Sequence, residues 1–186
     1  MTTTVIDSTT IYRTRLDRFV PDEGEGAESR RREHAAEAAI IREFFGPRVR
    51  LEHDANGAPR LVSDDDLPLP NISISHSRTE IVIAVDDDLP IGVDIENWRN
   101  QLMRVASRVM TPEESELYNS AHAYLRAWTI KEALFKAAGK DDMTMIDCHL
   151  PLGGETGYVE GVPYSITLVE DTPQTVLALA RPVRPE

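Results

Sequence analysis

The stretch from Tyr124 to Lys140, YLRAWTIKEALFKAAGK, constrains the chain most, because its pattern suits a helix packed along one side. Ala, Leu and Glu abound, no Pro interrupts, and Gly139 stands where a helix would stop. Tyr124, Trp128 and Phe135 recur at helical spacing, so one stripe is apolar and needs a core beneath it. Glu132 and Lys136 lie four apart on a common face, with Lys140 one turn further along. The chain has only three lysines, Lys131, Lys136 and Lys140, all in this stretch, and every other cationic side chain is Arg. A compact ammonium and a planar guanidinium are not interchangeable. A solvated, salt-bridged face is the ordinary reading of such charges. Their concentration in one helix points instead to a site for an anion.

At 186 residues the chain holds one domain or two small ones with a real core. No apolar run reaches the length of a membrane span. The first residues, MTTTVIDSTTIYRTRLDRF, lack the basic start and apolar block of a secretory signal. A cytoplasmic protein with no membrane partner is expected. Cys148 is the only cysteine, which excludes an internal disulfide and a cysteine-based metal cage. A net charge of −12 argues against nonspecific nucleic-acid binding, which needs a positive surface. Residues 1–60 balance ten Arg against eleven acids, so almost all the excess acid lies beyond them. The N-terminal third is the less repulsive surface for an acidic partner.

Residues 5–20 suit an extended segment that offers Ile11, Leu16, Phe19 and Val20 for burial, and Pro21 to Gly26 reads as a loop. Glu28 to Phe45 predicts a helix closed by Gly46-Pro47, with Arg30, Arg31 and Arg32 in its first turns. Cations there oppose the helix dipole, which suits either solvated arginines or a bound anion. Val49–Leu51 and Arg60–Val62 flank Asn56-Gly57 as in a hairpin. An acidic loop, Asp64 to Pro70, precedes strands at Ile72–Ile74 and Glu80–Val85. Between those strands, Ser75-His76-Ser77 is either a plain exposed turn or hydroxyls and an imidazole set for phosphate. Asp86-Asp87-Asp88 reads as a solvated turn, since consecutive aspartates cannot all face one ion.

In Ile91-Gly92-Val93-Asp94-Ile95-Glu96 a period of two puts the isoleucines and Val93 on one face and Gly92, Asp94 and Glu96 on the other. Two carboxylates so placed would be relieved by a hard divalent cation, and Glu132 on the later helix could complete the oxygen set. The glycine admits a close approach to the backbone. An exposed acidic face is the plainer reading, and the metal reading is preferred. A helix is expected over Arg99–Val109, and Thr111-Pro112-Glu113-Glu114 starts another, with Glu114 completing a capping box. Asp141–Gly161 reads as irregular. Strands follow at Tyr164–Val169 and Thr175–Ala180, with a frayed tail after Arg181.

Four pieces, Ile74–Ser77, Ile91–Glu96, Thr111–Glu114 and Trp128–Ala133 with Lys136, together resemble the 4′-phosphopantetheinyl transferases of the larger, Sfp-like type. The resemblance covers roughly the C-terminal two-thirds of the chain. It implies an α+β fold of two similar halves related by a pseudo-twofold, here residues 1–88 and 89–186, with coenzyme A between them. A monomer is implied, its pseudo-dimer interface buried internally. The implied reaction moves the phosphopantetheine arm of coenzyme A to a serine of an apo acyl- or peptidyl-carrier protein and releases adenosine 3′,5′-bisphosphate. Asp94, Glu96 and Glu132 would hold Mg²⁺, or Mn²⁺ in its place. Lys136 would hold a phosphate oxygen, and Glu114 would act as general base, with Glu113 one position away. His76 and Ser75 would face the nucleotide phosphate, and Lys131 is matched by motif as a further coenzyme A contact or a support for the carboxylates.

The N-terminal half departs from the family pattern. Gly57-Ala58-Pro59 stands where a Gly-Lys-Pro is common, and Glu37-Ala38 where the first helix often carries an arginine. Arg60 or Arg30 to Arg32, Arg31 among them, would have to compensate at the coenzyme A site. Two other readings follow: a non-catalytic coenzyme A and metal-binding relative, and a Mg²⁺-dependent phosphohydrolase using water in place of a carrier serine.

Overall fold

Runs of Ile, Val and Thr build a four-stranded antiparallel sheet in the N-terminal unit. The computed structural model describes residues 1–18, 27–65, 68–104, 108–151 and 154–184, apart from the side chains of 27–29. The expected loop at Pro21–Gly26, the burial of Phe19 and Val20, and the middle of the Asp64–Pro70 loop lie outside the described residues. So do residues 105–107, Gly153 and the end of the tail. The chain forms two compact units, Met1–Asp88 and Leu89–Glu186.

The single extended segment expected near the start is a hairpin of two strands, β1 (Thr2–Ile6) and β2 (Thr9–Arg15). Asp7 turns the chain with φ 50°, a conformation that aspartate tolerates better than most residues. Helix α1 (Ala27–Phe45) lays Ala36, Ile40 and Ile41 on Ile72, Ile74, Ile81 and Ile83 of β5 (Asn71–His76) and β6 (Glu80–Asp86). Between α1 and β5, β3 (Val49–His53) and β4 (Pro59–Ser63) form the expected hairpin. Asp54 Oδ1 accepts the backbone N–H groups of Asn56 and Ala58 and so fixes its turn. Asp86 corrects the solvated-turn reading: it is buried and accepts the hydroxyls of Ser8 and Thr9, both at 2.7 Å. It pins the β1–β2 turn to the end of β6.

The C-terminal unit runs β7 (Gly92–Asn97), α2 (Gln101–Arg104), α3 (Pro112–Leu117), α4 (Ala121–Ala138), β8 (Cys148–His149), β9 (Thr156–Val159), β10 (Val162–Asp171) and β11 (Thr175–Pro182). Its antiparallel sheet has the order β7-β11-β10-β9-β8. Among the described residues, the helix expected over Arg99–Val109 spans only α2. The stretch expected to be irregular contributes β8 and β9, which join the sheet because Cys148 and Val159 bury their side chains in the core. Helix α4 starts earlier than its apolar stripe suggests, because Ser120 caps it by accepting the Ala123 N–H. Gly139 ends it in the left-handed region at φ 56°. Leu125, Ile130, Ala133 and Leu134 anchor α4 in the core of this unit.

The two units share a strand order around their long helices. In each, the strand before the helix pairs with the last strand, which pairs with the penultimate one: β2-β6-β5 and β7-β11-β10. No helix is long and apolar enough to cross a membrane.

Candidate active site

Gly92 builds the site by having no side chain. A Cβ there would lie 1.9 Å from the Ala133 carbonyl oxygen, so α4 can rest on β7 only because Gly92 is bare. Period two then places Asp94 and Glu96 on the face that α4 covers. One turn of α4 brings Glu132 and Lys136 to the same place, as their spacing requires.

Lys136 Nζ donates to Asp94 Oδ1 at 2.7 Å and to the Val93 carbonyl at 3.1 Å. Glu96 accepts the Asn97 N–H through Oε1 and the Arg99 guanidinium through Oε2, at 3.1 and 3.0 Å. Burial pushes the Glu132 carboxyl up to about 7, and the charges of Asp94 and Glu96 push the same way against Lys136. Glu96 is also raised, first by burial and then by Asp94, in spite of Arg99. Burial is thus the main reason that the charged forms of Glu132 and Glu96 are disfavoured, and the nearby Asp94 charge adds to it at both. That donor set, all oxygen, fits a hard divalent ion.

The lysines do not gather into one anion site, because each meets a different acid. Lys140 pairs with Glu160, Lys136 with Asp94, and Lys131 with Glu114. Lys131 is fully buried; its Nζ lies 2.6 Å from Glu114 Oε2 and donates to the carbonyls of Val109 and Met145. Lys131, expected as a coenzyme A contact or a support for the carboxylates, is thus enclosed within the C-terminal unit. Glu114 forms the expected capping box, with Oε2 accepting the Thr111 N–H, and Oε1 accepts the Leu150 N–H. Its buried carboxylate is therefore committed to neighbours on both oxygens. Glu113, on the adjacent position, is exposed.

In the N-terminal unit, Ser75 is buried in β5 and His76 ends the strand. His76 Nε2 lies 3.2 Å from Oε1 of the buried Glu37, so an anion approaching that nitrogen would meet a carboxylate. Arg60 pairs with Glu52 at 2.8 Å on the exposed hairpin, and Arg31 is exposed on α1. Glu37, which the sequence marks only as standing in place of an arginine, converges with His34 and His53, and of this group only the His34–Glu37 spacing of three on one helix face is a local signal.

Residues 90–154 match the model of the 4′-phosphopantetheinyl transferase superfamily. A 4′-phosphopantetheinyl transferase of Bacillus subtilis is 36% identical over 80 residues, which cover 40% of this chain and 35% of that protein. The 4′-phosphopantetheinyl transferase HetI of Nostoc is 30% identical over 124 residues, covering 59% of this chain and 52% of the relative. A human L-aminoadipate-semialdehyde dehydrogenase-phosphopantetheinyl transferase is 29% identical over 107 residues, or 49% and 35% of the two chains. The matches thus span from about a third to about half of these curated relatives' length. Residues 90–154, which carry β7, α3 and α4 with their acids and lysines, are therefore the part of the chain that is similar to the 4′-phosphopantetheinyl transferase superfamily.

Proposed function

We propose that the protein transfers the 4′-phosphopantetheine arm of coenzyme A to a serine of an apo acyl- or peptidyl-carrier protein, releasing adenosine 3′,5′-bisphosphate. The observation that carries this reading is the partly buried trio of Asp94, Glu96 and Glu132 beside Lys136, in a segment matched to the transferase superfamily. The trio would hold Mg²⁺, or Mn²⁺, whose role when bound is to neutralise the pyrophosphate as its anhydride bond breaks. Lys136 would exchange Asp94 for a phosphate oxygen and stabilise the charge that grows on the leaving bisphosphate. The serine hydroxyl would form the new P–O bond and give its proton to a general base. Of the adjacent pair Glu113 and Glu114, Glu113 suits that role, because its carboxylate is open to a protein substrate while Glu114 is committed within the fold. Lys131 and Glu114 would act by fixing α3 against α4.

His76, Ser75, Arg31 and Arg60 are the residues of the N-terminal unit that would contact coenzyme A. The shared strand order of the two units supports the expectation that the chain doubles one α+β unit and works as a monomer. A coenzyme A-dependent reaction of this kind belongs in the cytoplasm.

Intact-mass spectrometry of a panel of apo carriers, incubated with the protein, coenzyme A and Mg²⁺, tests the reading directly. One phosphopantetheine arm added to a carrier serine, and lost in EDTA, is the expected result. Release of phosphate from coenzyme A without any carrier would favour a phosphohydrolase instead. Coenzyme A binding with no transfer to any carrier would favour a non-catalytic relative.

A further inference from the structure

We propose that the N-terminal unit carries a second metal site, for a first-row divalent ion with a preference for imidazole such as Zn²⁺, formed by His34, Glu37 and His53. Three of the chain's five histidines, His34, His53 and His76, come within ion-pairing distance of the Glu37 carboxylate. His34 Nδ1 lies 3.0 Å and His53 Nε2 3.8 Å from Oε2, and the three ligand atoms all fall within 4.8 Å of one another. Donors on a tetrahedral zinc ion with bonds of 2.0–2.1 Å stand about 3.3 Å apart. Closing the site therefore needs only small rotations of His34 and His53, whose side chains are 62% and 32% exposed.

Glu37 is the fixed member. It is buried on the inner face of α1, beside Ala36 and one turn before Ile40 and Ile41. His76 Nε2 stands 3.2 Å from its other oxygen, is itself buried, and makes no hydrogen bond there. Ligating carboxylates are ordinarily held by a partner on the oxygen turned away from the metal, and a small turn of the His76 ring would supply one. Among the described residues, this is the one group of metal-type side chains whose ligand atoms meet so closely.

Two imidazoles and a carboxylate suit zinc, copper or nickel, whereas Asp94, Glu96 and Glu132 offer only oxygen and suit magnesium. The two sites therefore differ in chemistry as well as in place. With three protein ligands the fourth position is open to water or to a further donor. A bound ion would add a tie between the β3–β4 hairpin, which already packs Leu61 into the core, and α1 through His53. The site does not depend on the transferase reading and stands whatever the C-terminal carboxylates bind.

Calorimetric titration of the whole protein with Zn²⁺, in excess Mg²⁺ to occupy oxygen sites, tests the proposal. One zinc ion per chain is expected. Substituting His34→Ala or His53→Ala should weaken it at least tenfold, and Glu37→Gln should do the same. His122→Ala, which removes an exposed imidazole paired with Asp171, should change nothing. Because His34 and His53 are exposed, their variants keep the fold, and circular dichroism checks this. Co²⁺ should give visible absorption of four- or five-coordinate strength that vanishes in the His53→Ala variant. Absence of zinc binding would overturn the proposal, as would binding unchanged in both histidine variants.

Discussion

The Lys131 ammonium lies 2.6 Å from the Glu114 carboxylate, and both side chains are buried. Around this pair converge the N-terminus of α3, through the Thr111 N–H, the Leu150 N–H that follows β8, and the Val109 and Met145 carbonyls. Replacing one partner leaves the other as an unpaired buried charge. Lys131→Met or Glu114→Gln should each destabilise the protein by about 3–5 kcal/mol, and the double variant by clearly less than their sum. Urea unfolding of the three variants checks this. Equal stability of Glu114→Gln and the parent would mean that the pair contributes nothing to holding α3 on α4.

The neighbouring glutamate should behave in the opposite way. Glu113 is exposed at the start of α3, and its carboxylate is held low by its own backbone N–H and by the Thr111 side chain, so it is ionised at neutral pH. Glu113→Gln should leave the melting temperature unchanged and lower the rate of transfer by about 10²–10⁴. A single-turnover assay on an apo carrier measures the rate, and calorimetry measures the melt. An unchanged rate would remove Glu113 from the chemistry.

Local signals carried much of the C-terminal unit. Helix α4 announces itself by its composition and its Gly139 stop, α3 by its capping box, and β7 by strict alternation, because each depends on residues a few positions apart. Hidden features depend on partners far along the chain. Asp86 looks like part of a charged turn until Ser8 and Thr9, at the other end of the unit, are seen to bond to it. Strands β8 and β9 are short and Gly-rich in their surroundings, and only the pairing of β8 with β9 and of β9 with β10, with burial of Cys148 and Val159, makes them strands. The lysines illustrate the same limit. Their shared helix is plain in the sequence, but the acid that each one meets is set by tertiary packing. Glu37 is similar, since its three histidines come from α1, β3 and β5.

Gly92 should be intolerant of any side chain. An added Cβ would stand 1.9 Å from the Ala133 carbonyl oxygen and 2.6 Å from the Ala137 nitrogen, which are backbone atoms that cannot rotate away. Gly92→Ala must push α4 off β7, at a cost of about 1–3 kcal/mol or more, as for other overpacked contacts. The same shift separates Glu132 from Asp94, so Mg²⁺ affinity should fall together with stability. Denaturation and Mg²⁺ titration of the variant test both parts. Normal stability with normal Mg²⁺ affinity would show that the close approach is not needed to assemble the acids.

Glu132 gives the metal site a pH dependence whose sign can be worked out. Burial, then Asp94 and Glu96, raise its carboxyl from an ordinary glutamate value of 4.5 to about 7. A raised folded-state value favours the protonated form, so its stabilising contribution is complete below about pH 4.5 and is lost as pH rises through about 7. Without metal, Glu132→Gln, which cannot ionise, should therefore be more stable than the parent above pH 7, by roughly 3 kcal/mol, and within about 1 kcal/mol of it at pH 5. With Mg²⁺ the order should reverse. The ion must displace the Glu132 proton, so its affinity should climb between pH 6 and 8, and binding at pH 6 should release about one proton. Calorimetric titration in two buffers of different ionisation enthalpy measures that release, and thermal melts with and without Mg²⁺ measure the stabilities. If the Gln variant binds Mg²⁺ as tightly as the parent at pH 8, Glu132 is not a ligand. In that case its raised carboxyl, close to the working pH, would mark it instead as a proton acceptor in the transfer step.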